Sequence, residues 1–338
     1  MSDTLTSNGY ALSTAPNRLG ELAPVPAAER HDRDALWDRL RAQGYLFLRG
    51  ALPVDDVLAF RRWYFAQLAG TGLVRPGTDG LAADGPVDGE ALRHKLFRHI
   101  VPSDEYRRFC VAPAIRDWYA WFLGGRTFLH RRKIIRHTRP GDRGVGTATQ
   151  AHYDLLYLRE GTERVLSSWI PLGDCPVPLG GLVYLERSHL PVLAEEAAGT
   201  LHLPGAPSPN RARPPREGAR RPDRERPPRE GAPPDAERPP REGAPPDAER
   251  PPRRGARRSA GPITADLPAL ADEYDARWLV ANYAAGDMVV HSAHIIHAAL
   301  DNVDAAGRMR LSTDIRYQRA DEPIDWRWQQ HWHDGDGL

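Results

Sequence analysis

The stretch from residue 205 to residue 262 sets the strongest limit on how this chain can fold. Its "RPPREGAPPDAE" unit begins at Arg226, repeats at Arg238 and restarts as "RPPR" at Arg250. The stretch holds 16 of the chain's 32 prolines, with no aromatic or large aliphatic residue. Its 15 arginines against 9 acidic residues give it +6, so the remainder carries −5 of the chain's net +1. A segment with so little to bury cannot offset its ordering entropy and is expected to be disordered. Strand-like sequence stands on both sides of it. The expected organisation is therefore a flexible N-terminal arm (1–25) and a single domain (26–338) interrupted by the 205–262 insertion. Acids interleaved with the arginines favour an inert, expanded loop over a nucleic-acid-binding tail.

The strands that the insertion separates have to find each other. Before it, "TFLHRRKIIRH", "QAHYDLLYL", "RVLSSWIPL" and "GGLVYLERSH" read as strands punctuated by Gly, Pro and Asp; after it come "MVVH" and "GRMRLSTDIRYQ". "GYLFLRGAL" adds a short early strand. Helices are expected before residue 125, in "ERHDRDALWDRLRAQ", "PVDDVLAFRRWYFAQLAG", "ALRHKLFRHIV" and "SDEYRRFCVAPAIRDWYAWFLG", the last capped by Ser103. Helices followed by short strands predict a mainly β fold with flanking helices, an antiparallel sandwich or barrel. At 41% hydrophobic residues the chain can build a real core.

Nothing global points to nucleic acid or membrane. The net charge is near balance, no apolar run is long enough to span a bilayer, and the N-terminus lacks a signal-peptide pattern. Cys110 and Cys175 form no disulfide framework. A cytoplasmic protein acting on a small molecule is the expectation.

In "AHYDLLYL" a histidine and an aspartate stand two apart. In an extended chain His152 and Asp154 face the same side and can share a divalent metal if a third ligand arrives. "GDMVVHSAHIIHAALDN" offers His291, His294 and His297. Two imidazoles and one carboxylate form the facial triad that holds non-haem Fe(II) and leaves coordination positions open. A keto acid can chelate such an iron, and its far carboxylate then needs a cation and a hydroxyl. Arg310-Leu311-Ser312 supplies that pair, with arginine's planar fork suited to a carboxylate.

These residues resemble the phytanoyl-CoA dioxygenase-like family of Fe(II)/2-oxoglutarate-dependent oxygenases. "GYLFLRGALPVDDVLAFR" is similar to the family's opening strand and helix, and "HYD" to its His-x-Asp. "WIPLGDCPVPLGGLVYLERSH" is similar to its Trp-containing strand and Gly-Gly turn, and "GDMVVHSAHIIHAALDN" followed by "RLS" to its distal histidine and arginine. The likeness spans about residues 40–320, apart from the insertion. It implies a double-stranded β-helix (jelly-roll, cupin-like) core with Fe(II), 2-oxoglutarate and O2 as cofactors. His152, Asp154 and His297 would be the metal ligands, with His291 the rival to His297. Arg310 with Ser312 would anchor 2-oxoglutarate, with Arg308 the competitor because "VDAAG" lengthens the turn after Asn302. Trp169 would line the cosubstrate pocket. Asp154 fills the position that halogenating relatives leave small, which favours hydroxylation or another oxidation. The reaction implied is oxidation of an unactivated C–H of a small organic substrate, with 2-oxoglutarate converted to succinate and CO2.

Plainer roles are expected for the other candidates. His294 reads as structural, His189 as a turn residue, Lys133 and Arg136 as solvated strand charges, ahead of the alternative that they reach cosubstrate or substrate, and "DWRWQQHWHDGDGL", with His331 and His333, as a covering segment. Two other classes stay open on the residues alone: a non-catalytic barrel that binds a ligand or partner, and a cupin-type metal hydrolase or isomerase.

Overall fold

Residues 4–25 do not form the loose arm expected of them; they are built into the fold. A computed structural model describes residues 4–142, 148–158, 160–198 and 261–334. Strands β1 (Thr6–Ser7) and β2 (Tyr10–Ala11) make a small hairpin, and β3 (Leu19–Glu21) joins a sheet. The backbone N–H groups of Asn8 and Gly9 both donate to the Asp301 carboxylate at 2.9 Å, and Leu22 and Val25 are buried. The arm reading rested on polar composition, which says nothing of a tether so distant in sequence.

Helices α1 (Arg33–Gln43), α2 (Val54–Gln67), α3 (Gly89–His94), α4 (Asp104–Cys110) and α5 (Pro113–Leu123) follow, with β4 (Tyr45–Leu48) after the first. Asp32 starts α1 by accepting from the N–H groups of Asp34 and Ala35, and Ser103 starts α4 by accepting from Tyr106 N–H at 3.1 Å. The helix read through 103–124 is two helices, because Pro113 has no N–H to continue α4 and opens α5 instead. The expected strand "TFLHRRKIIRH" likewise splits into β5 (Thr127–Leu129) and β6 (Ile134–Thr138).

The remaining elements are β7 (Leu166–Pro171), β8 (Leu182–Leu185), α6 (His189–Ala198), α7 (Leu267–Glu273), β9 (Trp278–Val280), β10 (Met288–Ser292), β11 (His297–Ala299) and β12 (Arg310–Arg319). They complete two sheets. The larger runs β4-β10-β7-β12-β5, with β6 also paired to β12, and the smaller runs β11-β8-β9-β3. Every pairing within the two sheets is antiparallel except β3 with β9.

Alternation sorts the side chains into layers. Leu46, Val290, Ile170 and Ile315 leave the larger sheet outward and meet Phe60, Tyr64, Tyr119 and Phe122 of the helices. Phe47, Trp169 and Val289 point the other way, onto Leu182, Tyr184 and Tyr283 between the sheets. Val183, Leu185 and Trp278 cover the smaller sheet's far side with Val192, Leu267 and Leu270. This is the double-stranded β-helix, flanked by helices, that the sequence led us to expect. Among the described residues no helix is long and apolar enough to cross a membrane. Apart from Gly261 and Pro262, the 205–262 insertion lies outside the described residues.

Candidate metal centre and cosubstrate cavity

The stretch 151–158 is not the strand it was read as. His152 makes a single β-bridge with His297, each N–H donating to the other's carbonyl at 3.0 and 2.8 Å, and Tyr153 stays extended. The chain then turns at Asp154–Leu156 into a 3-10 helix. Only the extended portion through Tyr153 was needed to aim His152 and Asp154 to one side. The bridge does more than a free strand would, because it sets His152 directly opposite His297.

Among the described residues, His152, Asp154 and His297 bring ligand atoms within 4.8 Å of one another. The imidazole rings of His152 and His297 lie 4.3 Å apart between centroids. Each ring nitrogen Nδ1 meets the carbonyl two residues earlier, His152 that of Gln150 at 2.8 Å and His297 that of Ile295 at 3.0 Å. Carbonyls only accept, so each Nδ1 carries the proton and each Nε2 is left with its lone pair. Burial holds His297 well below the usual imidazole range, with His152 and His291 nearby pushing the same way; burial also lowers His152. Two neutral imidazoles with free Nε2 atoms and a carboxylate fit a divalent iron.

Asp154 is wholly buried and held on every side. Arg316 Nη2 donates to its Oδ1 at 2.8 Å, Ser167 Oγ donates to its Oδ2, and His291 Nε2 lies 3.5 Å from Oδ2. Burial alone would raise this carboxyl, but the Arg316 guanidinium beside it overcomes that and the group is held well below the usual carboxylate range. His291, the rival ligand, has its ring 4.5 Å from that of His297 but is not one of the three grouped residues, and Tyr184 hydroxyl lies 3.1 Å from its Nδ1.

The two arginines that sequence left in competition are separated by the structure. Arg308 precedes β12, its side chain is half exposed, and its guanidinium is tied to Asp304 at 2.5 Å. Arg310 begins β12 and is 2% exposed. Its Nη1 donates to Ser312 Oγ at 3.1 Å and its Nε to Thr138 Oγ1 at 3.2 Å. It lines a cavity of about 200 Å³ with His137, Thr138 and Arg136. A second cavity, about 310 Å³, contains His152 and His297, and the two share Arg136, Ala148 and Thr149 along their walls. Arg308 lines neither cavity.

Three further expectations need correction. Trp169 is buried between the sheets, its ring 4.7 Å from that of Tyr283, and lines neither cavity. Lys133 is not a solvated strand charge; it is 3% exposed, with its ammonium 5.1 Å from the Tyr106 ring centre. Arg136 is half-buried and lines both cavities. His189 Nε2 meets Arg41 carbonyl at 2.9 Å beside the turn into α6, His294 is buried after β10, and Trp328 and Trp332 of the C-terminal segment line the first and second cavity.

Sequence reasoning missed Arg316 and Ser167 as neighbours of Asp154. A signal for Arg316 was present, since Arg310, Ser312, Asp314 and Arg316 alternate along β12 and so share one face.

Comparison with known proteins adds the following. A family model described as phytanoyl-CoA dioxygenase (PhyH) matches residues 40–310. No curated protein matches the chain. Among solved structures, it is similar to the α-ketoglutarate-dependent epimerase SnoN of nogalamycin biosynthesis, at 20% identity and TM-score 0.47, covering 85% of this chain and 83% of that one. It is similar to the carbocyclase SnoK of the same biosynthesis, at 19% identity and TM-score 0.48, covering 90% and 89%. It is also similar to EctD from S. alaskensis, solved with 2-oxoglutarate and 5-hydroxyectoine, at 13% identity and TM-score 0.48, covering 96% and 86%.

Proposed function

The chain belongs to the phytanoyl-CoA dioxygenase family and is a 2-oxoglutarate-dependent non-haem iron dioxygenase, and from that premise we propose that it hydroxylates, or otherwise oxidises, an unactivated C–H bond of a small organic substrate. The observation that carries this reading is the pinned pair of imidazoles. Both Nδ1–H groups are spent on carbonyls, so both Nε2 atoms face Asp154 with no other task.

His152, Asp154 and His297 would hold Fe(II), and Arg310 with Ser312 would bind the far carboxylate of 2-oxoglutarate. Bound there, iron and cosubstrate supply the O2 activation that oxidises a C–H bond, with release of succinate and CO2. The protein's part is placement. The bridge between His152 and His297 fixes two ligands against each other, and Arg316 and Ser167 stop the Asp154 carboxylate from rotating. Ser312 orients the Arg310 fork, and Thr138 holds its Nε, so the guanidinium meets a carboxylate without first losing side-chain freedom. Trp328 forms part of the wall of the first cavity and Trp332 part of the wall of the second. A cupin-type hydrolase or isomerase would have no use for the buried Arg310–Ser312 pair. Two free, buried cysteines, Cys110 and Cys175, accord with a cytoplasmic setting.

The test is succinate formation from 2-oxoglutarate. We expect slow, iron-dependent turnover even without primary substrate, absent in His297→Ala. Succinate that forms equally well in that variant would remove the assignment.

A further inference from the structure

Two arginines of the triad cavity remain unspent after the iron and the cosubstrate are accounted for. Arg136 makes no hydrogen bond or ion pair among the described residues; its guanidinium lies 5.6 Å from the centre of the Trp332 ring. Arg316 gives one nitrogen to Asp154, while its Nε and Nη1 are buried with no partner. Its guanidinium rests 4.7 Å from the Trp328 ring centre, which fixes its plane. Both arginines line the 310 Å³ cavity that contains His152 and His297.

The charge there does not close. Across this cavity and the adjoining one that Arg310 lines, Arg136, Arg310 and Arg316 stand against Asp154 and Asp314, and the divalent metal would be matched by the doubly charged cosubstrate. At least one positive charge is left over. Burial also pushes the Asp314 carboxyl up, which weakens the only other anion between the two arginines. Buried guanidinium N–H groups without acceptors are costly, and a bound oxyanion is what their fork geometry accepts.

We propose that Arg136 and Arg316 form the recognition site for an anionic group, a carboxylate or a phosphate ester, on the primary substrate. The group would enter beside the triad and hold the rest of the molecule over it, so these residues determine which substrates are oriented for oxidation. The inference rests on the functional reading above.

The experiment uses the full chain loaded with Mn(II) and N-oxalylglycine, which occupy the two sites without turnover. Benzoate, phenyl phosphate and neutral benzamide are titrated in by calorimetry. At least one anion is expected to bind about ten-fold or more tightly than benzamide, and Arg136→Gln to erase that preference while changing N-oxalylglycine affinity less than about two-fold. Which anion wins distinguishes a carboxylate from a phosphate substrate. Equal binding of benzamide, no binding of either anion, or a preference that survives in Arg136→Gln overturns the proposal. So does a large loss of N-oxalylglycine affinity in that variant, which would assign Arg136 to the cosubstrate. If Mn(II) and N-oxalylglycine fail to load at all, the dioxygenase assignment fails separately, and the same titrations of the unloaded wild type and variant still decide the role of Arg136.

Discussion

At the residue scale, two neighbouring arginines have opposite expected consequences. Arg310 is buried with its fork aimed into a cavity, whereas Arg308 is a half-exposed partner of Asp304. A charge-assisted, two-pronged contact contributes about 2–3 kcal/mol, so Arg310→Gln should raise the KM for 2-oxoglutarate roughly thirty- to hundred-fold. Arg308→Gln should leave that KM unchanged and cost about 1 kcal/mol of stability, since Arg308 is half exposed although its partner Asp304 is buried. Steady-state kinetics on the two variants separate them. Asp154→Ala carries a double penalty. It removes a proposed ligand and leaves Arg316 buried without its carboxylate, which costs about 3–5 kcal/mol when a buried pair is broken from one side. Urea unfolding of the metal-free variant reads the second effect by itself, and an unchanged midpoint would refute the pairing.

At the element scale, the turn between β11 and β12 decides where Arg310 begins. Asn302 knots it: the side-chain amide donates to the carbonyls of Thr138 and Arg308 at 3.1 and 2.9 Å, and its oxygen accepts from Asp304 N–H at 3.0 Å. Gly180 lies against the same turn at φ +82°, where a Cβ would sit 2.6 Å from Leu300 carbonyl. Asn302→Ala is expected to cost about 2 kcal/mol and to weaken 2-oxoglutarate binding although it touches no ligand. Thermal melts and a 2-oxoglutarate titration check both.

The same elements show what could be read in advance. His152, Asp154 and His297 were legible because a local spacing and a short motif announced them, and the strands because alternation is local. The choice between Arg308 and Arg310 was not, since it depends on where the strand starts after a turn whose knot runs back to Thr138. Arg316 was marked only by sharing the Arg310 face of β12; what it pairs with was not legible, since Asp154 lies 162 residues earlier in the chain. Trp169 was misplaced because an inward-facing residue on β7 can meet either a cavity or the opposite sheet, and here it meets Tyr283.

At the scale of the whole molecule, folding has placed its histidines where they resist protonation. Burial lowers His130, His137, His152, His189, His294, His297 and His331, with His137 taken to about 4. The unfolded chain takes up protons near pH 6.5 that the folded chain refuses, so acidification favours unfolding. Stability of the metal-free protein should be full above about pH 6.5 and decline as pH falls toward about 4. The depressed carboxyls of Asp154, Asp304 and Asp325 extend the loss at lower pH. Chemical denaturation across that range in chelator measures the slope, and His137→Gln should flatten it. A flat profile in the wild type would mean that the buried imidazoles do not shift as described.

All of these rest on one arrangement, a metal held by His152, Asp154 and His297 with 2-oxoglutarate reaching to Arg310. The most direct test is the visible difference spectrum on adding Fe(II) and 2-oxoglutarate to the metal-free protein without oxygen. A metal-to-ligand charge-transfer band should appear in the wild type, vanish in His152→Ala and weaken in Arg310→Ala. No band at saturating iron and cosubstrate, or one that persists in His152→Ala, would contradict the assignment of the centre.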